Sequence, residues 1–227
     1  MKFKIEKKMF EKYPNLKVGI IVVNNLDNNI NIDIEDYINN VSKEKIEKFK
    51  DVELASYNVI KSWREIYKSF GEKKARSSVE ALIRRTLNQN PVKSINPLVD
   101  IYNLISLKYE VPCGGEDLDK INDDIILGFA EGCEEFISLG EDEVQIVNKD
   151  EVVYKFNNTV ICRNFNYRES DLTKLTNDTK RAVLVIESIC DDNLDSALEE
   201  LEQLVKDKLN CETNKKILDV NNFEMEI

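Results

Sequence analysis

The chain contains no histidine. That absence removes Ser-His-Asp and Cys-His catalytic pairs and every zinc site built on an imidazole. Glycine and proline are sparse, 7 and 4 in 227 residues, and none of them forms a P-loop, a GxGxxG or a GxSxG. The five cysteines (Cys113, Cys133, Cys162, Cys190, Cys211) are odd in number, widely spaced and without a CxxC. No disulfide framework, metal site or cofactor is expected from them. No run of 18 apolar residues occurs, so no membrane-spanning helix is expected. The opening MKFKIEKKMF lacks a signal-peptide apolar region. Scattered thiols of this kind suit a reducing cytosol, and a cytoplasmic protein is expected.

What is present is charge, unevenly distributed. The net charge is −11, which opposes tracking of a long nucleic-acid duplex. Residues 61–110 hold 10 basic and 5 acidic residues, whereas 187–227 hold 4 and 12. A modest basic face beside an acidic edge favours a short or terminal piece of RNA, or a solvated surface with no partner.

Hydrophobic patterning predicts a short strand over Lys2–Ile5, a brief helix over Glu6–Tyr13 and a buried strand over Lys17–Val23. Helices are expected over Ile34–Phe49, Val52–Phe70 and Arg76–Leu87, with a turn at Asn88–Pro91. Trp63 reads as core. Arg76, Glu80 and Arg84 share one helix face, either as a solvated ion-paired stripe or, with Arg85, as phosphate contacts. Asn96 is a good N-cap and Pro97 suits the first helical position, so a helix should run over Pro97–Leu107. It is apolar almost all round, hence buried, yet Asn96, Asp100 and Asn103 line one polar stripe. That stripe reads either as a capping network or as a pocket wall. Pro112-Cys113-Gly114-Gly115 reads as a tight turn.

Beyond it, short strands are expected over Ile125–Phe129, Glu135–Leu139, Val144–Val147, Val152–Phe156 and Thr159–Arg163. A polar loop over Asn164–Asp178 precedes the apolar strand Arg181–Ser188. An acidic helix over Asn193–Leu209 and an appended strand or frayed tail over 211–227 complete the chain. The fold class is therefore α+β, a helix-rich N-terminal half packed on a strand-rich, sandwich-like C-terminal half. Residues 1–192 are expected as one domain, with the acidic helix and tail of 193–227 packed on it.

Two arginines, two amides and two aromatics crowd the loop RNFNYR, with Arg163, Asn164, Asn166 and Arg168 as its polar members. Such a set suits a carboxylate, a phosphate or an unstacked base. Glu187 lies inside the strand AVLVIES, either facing solvent by alternation or engaging an amino group in a pocket. Cys113 beside two glycines has no neighbouring base to make it a nucleophile.

Three segments together resemble a known family. SINPLVDIYNLISLKYEVPCGGEDLDKI is similar to a stretch with Asn-x-Val-Asp-x-x-Asn-Tyr, a Pro and a His-Ala-Phe-Asp segment. ISLGEDE is similar to the Leu-Asp-Gly turn that follows. CRNFNYRESDLTKLTNDTKRAVLVIES is similar to Arg-x-Trp-Asn-Trp-Arg, Thr-x-x-Thr and an apolar strand ending in Glu. In this order they resemble free-standing versions of the B-three/B-four editing and tRNA-binding module of the bacterial phenylalanyl-tRNA synthetase β subunit. The resemblance covers about residues 14–190. It implies an aminoacyl-tRNA-binding protein that acts as a trans-editing deacylase, or a non-catalytic module for tRNA or a free amino acid. The implied partners are a tRNA acceptor end or a small amino-acid ligand. An adaptor role for the acidic tail is a third reading. By the resemblance Asn103 falls on a pocket asparagine and Glu187 on the glutamate that holds the α-amino group. Tyr102 replaces a pocket threonine, Gly114 stands where the family has a histidine, and RNFNYR replaces a glycine-rich loop. Asn103 and Asp100 would shape the pocket or orient water, with Asn96 among the substrate-binding residues, and Arg163 and Arg168 would meet the terminal adenosine or its phosphate. Nothing resembles an aminoacylation domain, so no ligase activity is implied.

Overall fold

A computed structural model describes residues 1–72, 74–88, 93–190 and 193–227. The first half runs β1 (Lys2–Ile5), α1 (Lys7–Lys12), β2 (Lys17–Asn24), α2 (Glu35–Phe49), α3 (Asn58–Ser69), α4 (Ser78–Leu87) and α5 (Pro97–Tyr109). The strand-rich half contains β3 (Cys113–Asp117), β4 (Ile125–Phe129), β5 (Glu135–Ile137), β6 (Val144–Ile146), β7 (Val152–Phe156), β8 (Thr159–Arg163) and β9 (Arg168–Glu169). It ends with β10 (Ala182–Ser188), α6 (Leu194–Leu209), β11 (Glu212–Leu218) and β12 (Glu224–Glu226). The α+β architecture expected from the patterning is present.

There are two sheets among the described residues. Four antiparallel strands pair in the order β11-β2-β10-β3. The larger sheet follows β12-β1-β4-β7-β8-β5-β6, with β9 on β8. The central strands β2 and β10 are covered on both faces, which is why Val18–Val23 and Ala182–Ile186 hold no polar side chain. Val18, Ile20, Val22 and Val183 join the core between the sheets. Ile21, Val23, Leu184 and Ile186 instead pack on α5 and α6. A third cluster joins α2, α3, α4 and α5 through Val41, Ile60, Ile83 and Leu104.

Local chemistry explains several boundaries. Ser77 caps α4 by accepting from the Glu80 N–H at 3.3 Å, so that helix begins at Ser78 and not at Arg76. The helix expected from Val52 starts at Asn58, because Leu54–Ser56 forms a separate 3₁₀ turn and Tyr57 is extended. Helix α5 continues to Tyr109 and stops where Glu110 turns left-handed at φ 62°. The Asn88–Pro91 turn falls largely outside the described residues.

One expectation needs correction. Gly114 and Gly115 do not form a turn. They lie within β3, paired with Val185 and Leu184. Gly115 is there because its strand passes close over a neighbour: a Cβ would meet Leu184 Cδ2 at 2.7 Å and the Val183 carbonyl at 3.2 Å. Gly115→Ala is expected to cost about 1–3 kcal/mol by overpacking, measured by urea unfolding, and a loss under about 0.5 kcal/mol would refute this account. Of the two readings of residues 211–227, the structure has the appended strand and not the frayed tail. Strand β11 pairs with β2, and β12 pairs with β1. No described helix is long and apolar enough to cross a membrane.

Candidate functional site

Alternation along β10 decides where its carboxylate goes. Val183, Val185 and Glu187 share the face that looks toward the larger sheet, since successive strand residues point to opposite sides. Opposite them on β3, Gly114 pairs with Val185 and Glu116 with Val183. A cavity of about 50 Å³ opens between the sheets at this place. Its β3 wall is Pro112 to Glu116, and Val185 and Glu187 come from β10. The larger sheet contributes Phe3, Ile125, Tyr154, Ile161, Cys162 and Glu169. Phe165, Asn166 and the first residue of α4, Ser78, close it.

Glu187 is 2% exposed. Tyr154 Oη donates to its Oε1 at 2.6 Å, and Asn166 Nδ2 donates to its Oε2. Burial pushes this carboxyl up to about 7, against the two donors, which favour the charged form; the nearby Glu169 adds to the rise. Asn166 is itself fixed from behind. Its Oδ1 accepts from Tyr67 Oη at 3.0 Å and from the Ser78 N–H at 2.9 Å. The loop that aims Asn166 inward carries two consecutive left-handed residues, Asn164 at φ 50° and Phe165 at φ 59°. That conformation is costly for a phenylalanine. It is held because the fully buried Phe165 ring packs edge-on against Trp63 and Tyr13, with centroids 5.4 and 5.3 Å away.

Two further carboxyls line the same cavity. Glu116 and Glu169 stand side by side and titrate together. Burial is the main cause that raises both above the ordinary carboxylate range; the Glu169 charge adds to the rise at Glu116, whereas hydrogen bonds from Glu116 and Cys162 favour the charged form of Glu169. Glu116 Oε2 is buried without a hydrogen-bond partner. The cavity thiols are raised by burial, so both stay neutral; Cys162 Sγ donates to the Phe165 carbonyl at 2.8 Å. No group of described residues is suited to hold a metal ion.

Of the residues singled out in the sequence, the structure brings Cys113, Gly114, Asn166 and Glu187 together in this cavity. The remainder lie elsewhere, each for a physical reason. Asn96 is spent on capping α5. It accepts from the Val99 N–H at 3.1 Å and from Asn28 Nδ2 at 2.9 Å, and donates to the Leu175 carbonyl. Asp100 closes the preceding loop, accepting from Ser94 Oγ at 2.5 Å and the Ile95 N–H at 2.9 Å. The polar stripe is thus a capping network at these two positions. Asn103 and Tyr102 are half-buried on α5 and outside the cavity lining, although Glu169 and Glu116 act electrostatically on the Tyr102 phenol. Arg163 is held by Glu151 at 2.6 and 2.9 Å, donates to Gln145 and lies over the Phe136 ring. Asn164 is buried at the loop's first bend, its Oδ1 unpartnered. Arg168 is exposed over the Tyr167 ring, because its strand neighbour Glu169 takes the inward direction.

The sequence reading missed Tyr154, Glu116, Glu169 and Tyr67. Glu116 was detectable in principle as the residue two beyond Gly114 in a strand. Tyr154 carries no sequence signal for its partner, since the pairing with Glu187 spans 33 residues.

A basic groove lies beside the cavity. Arg64, Lys68, Lys74 and Arg76 line it, and the chain passes from there to Ser78 at the cavity rim. The Arg76/Glu80/Arg84 stripe, read as a solvated ion-paired stripe or as phosphate contacts with Arg85, is ion-paired, but around a Glu80 that is fully buried. It accepts from Arg64 Nη2 at 2.5 Å and Arg84 Nε at 2.7 Å, with Arg76 3.8 Å away.

Residues 62–206 match the family model of the B3/4 domain. Among solved structures, the chain is similar to the crystal structure of an N-terminal fragment of the phenylalanyl-tRNA synthetase β-subunit from Pyrococcus horikoshii. The identity is 14% and the TM-score 0.45, with 92% of this chain and 49% of that one covered. The chain thus spans about half the length of that fragment. No curated protein matches it in sequence.

Proposed function

The chain belongs to the B3/4 domain family, and from that premise we propose that it binds the aminoacyl end of a tRNA and hydrolyses the ester of a mischarged amino acid. The observation that carries this reading is the buried Glu187. It sits in the cavity between the sheets, aimed by Tyr154 and Asn166, and no lysine or arginine lines that cavity. A buried carboxylate without a cation is the natural partner of an α-ammonium group. The basic groove beside Ser78 would receive acceptor-strand phosphates, and this contact should weaken with salt.

In hydrolysis, water attacks the ester carbonyl carbon. The bond to the ribose oxygen breaks, and the amino acid and the free tRNA hydroxyl are released. The cavity's role would be to fix the ester by its α-ammonium so that water approaches along one path. A second reading, binding without hydrolysis, is favoured by one observation: the cavity's thiols are held neutral by burial, so no thiolate nucleophile is in place.

Incubation with a panel of mischarged tRNAs distinguishes the two readings. Release of one amino acid above the uncatalysed rate is the expected result. A salt-dependent tRNA shift with every ester left intact would replace the deacylase by the binding module. No shift and no hydrolysis would remove both.

A further inference from the structure

The Glu116–Glu169 pair is not used by an α-ammonium held on Glu187. It lies in the same cavity, and its two buried carboxyls are held above the ordinary range, so that a proton and not a cation neutralises them. None of the lining side chains supplies a cation. Glu116 lines the cavity and is 6% exposed, and its buried Oε2 meets no hydrogen-bond donor.

The register fixes how the two acidic ends relate. The Glu187 N–H donates to the Pro112 carbonyl at 3.1 Å, and Glu116 lies opposite Val183 on the neighbouring strand. Glu187 and Glu116 therefore share a face of the small sheet, four residues apart, about 13 Å between backbone levels at ~3.3 Å per residue. Midway between them is Gly114, where an added Cβ would meet no atom within 4 Å. The path from one acidic end to the other is open backbone. Glu169 is near enough to Glu187 for its charge to act there. A compact point charge suits the second end better than a guanidinium, which needs a planar fork of acceptors and more room than this narrow cavity gives.

We infer that the cavity takes a ligand with two primary ammonium groups, one on Glu187 and the other on the Glu116–Glu169 pair. This rests on the aminoacyl reading for its identity: the ligand is then an amino acid of the lysine or ornithine class, esterified to tRNA. Its α-ammonium lies on Glu187, its alkyl chain crosses Gly114 and Val185, and its side-chain ammonium meets Glu116 Oε2.

Calorimetric titration of the full chain separates this inference from the reading beneath it. The probes are lysine methyl ester, norleucine methyl ester, 1,5-diaminopentane and pentylamine. Lysine methyl ester is expected to bind at least about tenfold tighter than norleucine methyl ester, with the preference lost in Glu116→Gln and reduced in Glu169→Gln. Equal binding of the two esters would overturn the second ammonium site and leave the aminoacyl reading intact. Binding of diaminopentane over pentylamine, with neither ester bound, would keep the two-ammonium cavity and overturn the aminoacyl reading. Equal binding, or no binding, of all four probes to the unmodified chain overturns the inference whatever the variants do.

Discussion

Glu187→Gln is expected to make the protein's stability less sensitive to pH, with a gain of about 3 kcal/mol at pH 8 relative to its effect at pH 4. The folded-state carboxyl titrates at about 7, above its ordinary 4.5. Below 4.5 the group is protonated in both folded and unfolded chains, and its contribution is fully present. As pH rises toward 7 the unfolded chain gives up this proton first. The folded state then binds more protons, so stability falls with pH until the folded group has also ionised. Glutamine cannot ionise, and it can serve the same site. Its Oε1 accepts from Asn166, and its Nε2 donates to the Tyr154 oxygen once that hydroxyl turns. Urea unfolding at pH 4 and pH 8 measures the difference of differences, which cancels any packing cost common to both conditions. Glu116 and Glu169 add a decline of the same sign, so the variant retains part of the slope. An unchanged slope would mean that Glu187 is not buried as described. The same substitution is expected to abolish recognition of an α-ammonium. A gain in stability joined to a loss of binding is the usual mark of a site held in a strained state.

Trp63→Ala is expected to cost about 3–5 kcal/mol, the range for truncating a buried aromatic. Trp63 is 1% exposed and packs on Tyr67 and Phe165 at centroid separations of 6.1 and 5.4 Å. Both neighbours matter to the cavity. Tyr67 holds Asn166 through its hydroxyl, and Phe165 keeps the left-handed turn that aims Asn166 at Glu187. The expected result thus has two parts, a lower denaturation midpoint and a weakened hold on Glu187. The second part appears as an altered pH dependence of stability, because without the Asn166 donor the carboxyl is harder to ionise. Trp63→Phe, which retains most of the packing, should cost less and leave that pH dependence in place. A loss below about 1 kcal/mol for the alanine variant would contradict the packing described here.

The chain's own pattern was sufficient for much of the architecture. Apolar runs at Lys17–Val23 and 181–188 identify buried strands, Asn96-Pro97 starts a helix, and Trp63 reads as core; all are so placed. These features are legible because they depend on burial period and on capping chemistry within a few residues. The Gly114-Gly115 turn failed for the opposite reason. Two glycines signal a bend locally, and only a neighbouring strand's Leu184 shows that one of them serves close approach. The choice between strand and frayed tail at 211–227 stayed open for the same reason, since its charges look solvated until β2 and β1 supply partners.

The candidate site divides along the same line. The sequence by itself determined that histidine chemistry is absent, that a carboxylate sits in an apolar strand, and that RNFNYR is a polar loop at a strand end. It did not determine which polar groups meet. Asn96 and Asp100 are locally plausible pocket residues, but they are consumed by hydrogen bonds to their own loop and cap. Arg163 is consumed by Glu151, 12 residues away. Tyr154, Glu116 and Glu169 reach the cavity only because two sheets pack face to face. Local hydrogen bonds follow from adjacent residues and so can be read along the chain. A buried carboxyl's partners are set by sheet order and register, which no short stretch encodes, and the tertiary structure alone placed three glutamates in one cavity with no cation beside them.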